Sequence, residues 1–428
     1  MGHTRHPAWP HRRPNTATPT RRGGSSAVTA RRTRMFRSAR TTARLAALAA
    51  LTLVGLAACE SADSRTYVTL LGADTISIEH FTRSDTAIVG ELLVRSPYTH
   101  RIRYHASLGE DGTIDRLEAT METPPENPEG PEPVHWVAEI GQGEARVTVE
   151  GGRAAGERTF AAAADAIPTL GRASISAFAL EQAIRQARAA GEDEHALELV
   201  YPTRPQPVPN SITRVAGDTV VYSFFGRPFR AWTDADGALA GADGSATTMK
   251  ATVTRSAAEI DLDARAAAWA AADARGEGMG VASPGATETA TVHGATLEIA
   301  YSQPAKRGRE IWGGLVPHGE VWRTGANAAT MFSTNRDLRL GDLDVPAGSY
   351  TLWSIYDESG GQLIVNKQTG QWGTQYDPEQ DLGRVPMERS ELAEPVERFT
   401  FRIEETPEGG VIHLDWDRTR WSVPFTVR

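Results

Sequence analysis

Cysteine is almost missing from this chain of 428 residues: Cys59 is the only one. A single thiol cannot close an intrachain disulfide, so every core must be held by burial and hydrogen bonding. Long apolar runs are missing too. The strongest, residues 45–58, is too short for a typical membrane-spanning helix. HExxH, GxSxG, GxGxxG and P-loop patterns are absent, which removes the usual sequence marks of zinc protease, serine hydrolase, dinucleotide and nucleotide chemistry. His293, His318 and His413 are scattered. His100 and His105 lie five apart in a strand-like run and so on opposite faces. Neither a metal nor a cofactor is expected. Basic charge is scarce beyond the first segment. Residues 1–58 hold 11 Arg and no Lys, Asp or Glu; the whole chain is −9, so the remainder carries −20. So acidic a remainder lacks the basic face that nucleic acid needs.

What is there begins with an address. Arg37, Arg40 and Arg44 precede the apolar run, which ends Leu56-Ala57-Ala58-Cys59. A basic flank, a short apolar core and small residues before the cut describe a secretory signal. The Leu-Ala-Ala-Cys ending resembles a bacterial lipobox. That resemblance implies a lipid on Cys59 as the first mature residue, and a lipoprotein anchored to the membrane of the cell envelope, facing the periplasm or the exterior. Residues 1–34 are rich in Arg, Pro and Thr without periodicity. They are either a disordered leader or a mis-assigned start, because Met35 opens a signal of ordinary length at 35–58. A tether is expected at 59–65.

The fold class is mainly β. Residues 75–81 and 101–105 alternate apolar and polar at period two. Such runs recur across 66–258, an antiparallel curved sheet with a helix near 174–190. There Ile175, Phe178, Leu180 and Ile184 share a face and Gly191 is a natural stop. A curved sheet crossed by a helix resembles the half-barrel of lipoprotein-carrier proteins, which implies lipid carriage as one possible role. Residues 259–284 are an Ala-rich helix and a linker. Residues 285–428 turn to short strands with frequent turns, a β-sandwich of seven or eight strands.

The densest functional-looking stretch is 311–332, IWGGLVPHGEVWRTGANAATMF. Its glycines mark turns. Arg323 presents a rigid fork of donors suited to carboxylate or phosphate. Thr324 and Asn327 add short polar arms beside Trp322. Lys367, Trp372 and Tyr376 follow downstream. Aromatic faces next to such groups suit a sugar or an anion. The competing expectations are core packing for the tryptophans and a structural turn for Arg323, with Asn327 bonding its own backbone. For Lys306, Arg307 and Arg309 the alternative is a solvated turn. The stretch shows no recognised catalytic arrangement of nucleophile and base. The function that follows is a non-enzymatic binding protein for a glycan, peptide or small anionic ligand. The alternatives are a hydrolase of envelope or exported polymer, using Asp or Glu outside any known motif, and the lipid carrier above.

The run ATLEIAYSQPAKRGREIWGGLVPHGEVWRTGANAATMFST, followed by PAGSYTLW, IVNKQTGQWG, EPVERFTF and LDWDRTRWSVPF, resembles the domain of unknown function 2911 family over residues 285–428. The resemblance implies an extracytoplasmic β-rich domain and no particular activity. Members read GANEAT where this chain has Ala328 in place of the Glu.

Overall fold

The computed structural model describes residues 63–428 except 172–175, 225–226, 248–249 and 358–359. The leader 1–34, the signal 35–58 and Cys59 lie outside the described residues. The described residues are mainly β, in two large sheets with two helices.

The first sheet has fifteen strands. They are β1 (Asp63–Leu71), β2 (Asp74–Arg83), β3 (Ala87–Val94), β4 (His100–Leu108), β5 (Ile114–Glu122), β6 (Val134–Gly141), β7 (Glu144–Glu150), β8 (Gly156–Ala161), β9 (Ile167–Pro168), β10 (Glu194–Val200), β11 (Val208–Ala216), β12 (Thr219–Phe224), β13 (Arg227–Thr233), β14 (Leu239–Asp243) and β15 (Ala251–Arg255). Because β1 starts at Asp63, the last residues of the expected tether belong to the sheet. Strands β1 to β8 form one antiparallel meander and β15 back to β10 another. The two join where β1 pairs with β15, with Tyr67 opposite Arg255.

Helix α1 (Ala177–Ala190) lies on one face of this sheet. Its start falls three residues later than the sequence pattern suggests, and Gly191 ends it in the left-handed conformation at φ 70°. Phe178, Leu180 and Ile184 are buried with Tyr67, Phe81, Tyr104 and Leu239 in one core, each contributing about 1.5–3 kcal/mol. Two acids go in with them. Glu181 is fully buried and accepts from Arg65 Nη1 at 2.9 Å, Arg185 Nε at 3.1 Å and the Leu239 N–H at 3.0 Å. Glu79 of β2 accepts from the Ala177 N–H and from Ser176 Oγ, so a strand carboxylate caps the helix that its own cap residue leaves open. Tyr104 Oη also donates to Glu79 at 2.8 Å. Burial outweighs these donors and pushes the Glu79 carboxyl up to about 7.

Period-two alternation explains the other helix. On β2, Phe81 faces α1, while Ile78 faces away and packs with Leu93 against Leu262, Ala266 and Trp269. Those three belong to α2 (Leu262–Ala274), whose N-cap Asp261 accepts from the Ala264 N–H at 2.9 Å.

The second sheet has nine strands, β16 (Gly285–Val292), β17 (Ala295–Ser302), β18 (Thr330–Thr334), β19 (Leu338–Leu340), β20 (Leu343–Val345), β21 (Gly348–Tyr356), β22 (Gly361–Asn366), β23 (Asp381–Thr406) and β24 (Gly409–Val427). Their order is β16-β17-β18-β21-β22-β23-β24-β19-β20. The count exceeds the seven or eight expected because β19 and β20 are three residues each, too short to leave a periodic signal. Strand β24 is one bent strand, with Asp417 at φ 54°. Strand β23 makes the sandwich-like layering. Its first part pairs with β22 and its last part with β24, so the sheet folds over itself. Leu297, Phe332, Leu352, Phe401 and Leu414, from strands at both ends of the order, share one core.

Candidate functional site

The conspicuous stretch packs against the loop that follows β22. Trp322 exchanges backbone hydrogen bonds with Ser354 at 2.8 and 2.9 Å. Its ring stacks on Trp416 at 5.8 Å and meets Phe399 edge-on at 5.1 Å. Trp322 is thus partly buried and packed against the second core. Thr324 is wholly buried at φ 50°, with Oγ1 2.8 Å from Ser354 Oγ and its carbonyl accepting from Thr330 Oγ1 at 2.8 Å. It pins the turn from inside and presents nothing to solvent. Gly325 at φ 156° and Asn327 at φ 61° then turn the chain outward.

What this turn brings together is Arg323, Asn327 and Trp372. Arg323 Nη1 donates to the Gly373 carbonyl at 3.3 Å, and the Gly373 N–H donates to the Asn327 carbonyl at 3.0 Å. Ala328 and Trp372 form a β-bridge. Only glycine fits at 373: a Cβ there would lie 2.2 Å from Arg323 Cδ and 2.5 Å from the Asn327 carbonyl oxygen. The Asn327 amide is exposed and lies 3.4 Å from the Ser283 carbonyl and from Ser302 Oγ, not on its own backbone. Trp372 is 52% exposed.

Two other expected site residues have partners of their own. Lys367 is exposed just past β22, where its N–H donates to the Gln380 carbonyl at 2.8 Å. Tyr376 rests its ring on Trp353 at 5.0 Å and donates to Asp381 Oδ2 at 2.6 Å. Burial, then Asp381, push its phenol up to about 12. The basic turn is not simply solvated. Lys306 pairs with Asp417 at 2.6 Å, Arg307 pairs with Asp74 of the first sheet, and Arg309 donates to the Lys306 and Ala305 carbonyls.

A second polar feature escaped the motif reading. Strand β16 ends the sheet order, and the pairing of β23 with β22 stops at Met387, so β16 and the far part of β23 face each other across a seam. Backbone contacts close one end: Phe399 N–H donates to the Pro304 carbonyl at 2.9 Å and Lys306 N–H to the Glu397 carbonyl at 2.8 Å. His293 closes the other, bonding Glu405 and the Thr406 carbonyl. Between them lies a groove of about 490 Å³ lined by Glu288, Tyr301, Arg402, Glu404, His413 and Arg420 among others. Arg402 stands directly opposite His413 in the strand register. Behind them Asp415, 1% exposed, accepts from Arg402 Nε at 3.2 Å and from Arg420 Nε and Nη2 at 2.7 Å each. Burial, then the Arg420 charge, hold the His413 imidazole below its ordinary value. The alternations Arg402-x-Glu404 and His413-x-Asp415 on successive strands were the available signal.

Residues 283–425 match the family described as "Protein of unknown function (DUF2911)", so the resemblance read from the Trp-Arg-Thr-Gly-Ala-Asn core holds for this C-terminal region. No curated protein matches the chain. One solved structure, the "Crystal Structure of Beta-barrel-like Protein of Domain of Unknown Function DUF1849 from Brucella abortus", is similar at 10% identity and a TM-score of 0.26, over 45% of this chain and 93% of that one. A likeness this slight bears on neither fold nor function here.

Proposed function

We propose that this chain, whose C-terminal region matches a family of unknown function, is an envelope lipoprotein that binds a glycan without catalysis. The lipid would sit on Cys59, as the Leu-Ala-Ala-Cys ending suggests, and hold the protein to the membrane. The observation that carries the binding reading is the loop crossing: a half-exposed indole, Trp372, fixed by backbone bonds beside the exposed Asn327 amide and the Arg323 guanidinium. An indole face takes the apolar face of a sugar ring, and an amide beside it sorts the hydroxyls. A peptide or small anion would use Arg323 more than Trp372, and it is Trp372 that is presented. Lipid carriage by the first sheet is less well supported, because α1 already packs into that sheet's core.

The test is native mass spectrometry and titration calorimetry on the full chain produced in a bacterial envelope, with chito-oligosaccharide as probe. Saturable binding that Trp372→Ala reduces by about tenfold or more, with thermal unfolding unchanged, supports the reading. Binding indifferent to Trp372→Ala and Asn327→Ala would sink it. For the anchor, the wild-type chain should carry a lipid mass that Cys59→Ser lacks.

A further inference from the structure

We propose that the seam between β16 and the far part of β23 is a second binding site, which takes a small zwitterion bearing a carboxylate and an ammonium, such as a short unblocked peptide. Two free strand edges facing each other usually invite a third strand. Here that use is closed. The Phe401 N–H already donates to Tyr301 Oη at 3.0 Å, and the Ile403 N–H donates to Glu288 Oε1 at 3.2 Å. The seam offers side chains in place of backbone, around a space of about 490 Å³, within the ordinary size range of small-ligand sites.

Charge decides the ligand class. Two guanidinium groups, Arg402 and Arg420, and two carboxylates, Glu288 and Glu404, line the same groove. A plain anion would meet both acids, and a plain cation both arginines. A molecule with one charge of each sign matches both sets. The cationic end is built rather than incidental. Asp415 lies buried beneath it and takes one N–H of Arg402 and two of Arg420, which fixes the Arg420 plane and tethers Arg402. Each guanidinium has five N–H donors, so both keep outward-facing ones for a ligand carboxylate. Two residues along β23 from Arg402, Glu404 has its side chain 68% exposed and lies 3.4 Å from His413. Tyr301 and Phe401, whose rings meet at 4.9 Å, close the groove from the core side.

The experiment is titration calorimetry on the full chain with alanyl-alanine, its N-acetyl and C-amide forms, free alanine and inorganic phosphate. Arg402→Gln and Glu404→Gln serve as variants, since both side chains are more than half exposed and their loss should leave the fold intact. The expected result is saturable binding of alanyl-alanine, weakened about tenfold or more by blocking either terminus, by Arg402→Gln and by Glu404→Gln. Equal binding of free alanine would keep the zwitterion and shorten the ligand. Blocked and unblocked forms binding alike, phosphate binding as tightly as the dipeptide, or no saturable heat with any probe would each overturn the proposal. The blocked ligands test it on the unaltered protein, whatever the variants do.

Discussion

In the first sheet a helix enters the core and ionisable side chains go in with it; in the second, the sheet folds over itself and rings fill the interior. Helix α1 brings Glu181 inside, and Arg65 and Glu79 follow from the strands to satisfy it and the helix N-terminus. The second interior takes Trp322, Tyr356, Phe399, Trp416 and Trp421 in mutual contact, and its charged groups stay at the seam and on the loops. The difference follows from what each interior must satisfy. A helix end buried in a sheet leaves polar groups that only other polar groups can answer. Strands paired along their length leave none, so rings suffice. Stability in the first sheet should therefore depend on ions and pH, while the second buries Asp415 at its seam and keeps most of its other ionic side chains outside.

The sharpest break in that contrast is Glu181→Ala. It strips Arg65, itself 7% exposed, of its buried partner and leaves the Leu239 N–H without an acceptor. The expected loss is about 3–5 kcal/mol in denaturant unfolding. A loss under about 1 kcal/mol would mean that water reaches Arg65, and the sealed ionic interior would be wrong.

The pH dependence comes next in size. The Glu79 carboxyl titrates near 7 when folded and near 4.5 ordinarily. Between those values the folded protein keeps a proton that the unfolded chain has released. Its contribution is complete below the ordinary value, falls by up to about 1.4 kcal/mol per pH unit through the window, and is gone above the folded one. Denaturant unfolding at a series of pH values should show this decline in the wild type and a flatter profile in Glu79→Gln. An unchanged slope in the variant would place the decline on another group.

These same features mark how far the sequence could be read. Alternation at period two gave the first sheet, and the apolar spacing of Phe178, Leu180 and Ile184 gave α1. Glu79 and Glu181 gave no hint, because a carboxylate in an alternating strand or an amphipathic helix looks like its solvent face until the packing turns it inward. In the site the reverse happened. Trp322 and Thr324 stood out by composition; Thr324 is internal and Trp322 is partly buried against the core. Trp372 and Asn327 are the surface pair, and they are 45 residues apart in the chain. The Arg402–Arg420 clamp on Asp415 needs the bend of β24 at Asp417, which no local pattern announces.

A smaller effect on stability is expected at Gly373, and it tests whether the second sheet's outer loops are as passive as its interior is apolar. An alanine Cβ there would meet Arg323 Cδ, which can swing aside, and the Asn327 carbonyl oxygen, which is backbone and cannot. The loops must part by a fraction of an ångström, costing about 1–3 kcal/mol in unfolding free energy. Since the core rings lie beneath and keep their contacts, the fold should survive. Trp372 would move off Asn327, however, because the Ala328–Trp372 bridge is one residue away. Gly373→Ala should therefore weaken chito-oligosaccharide binding nearly as much as Trp372→Ala does, while Trp372→Ala itself stays within about 0.5 kcal/mol of the wild type. If Gly373→Ala binds like the wild type, the crossing does not set the geometry of the site, and Trp372 acts there as an isolated exposed ring.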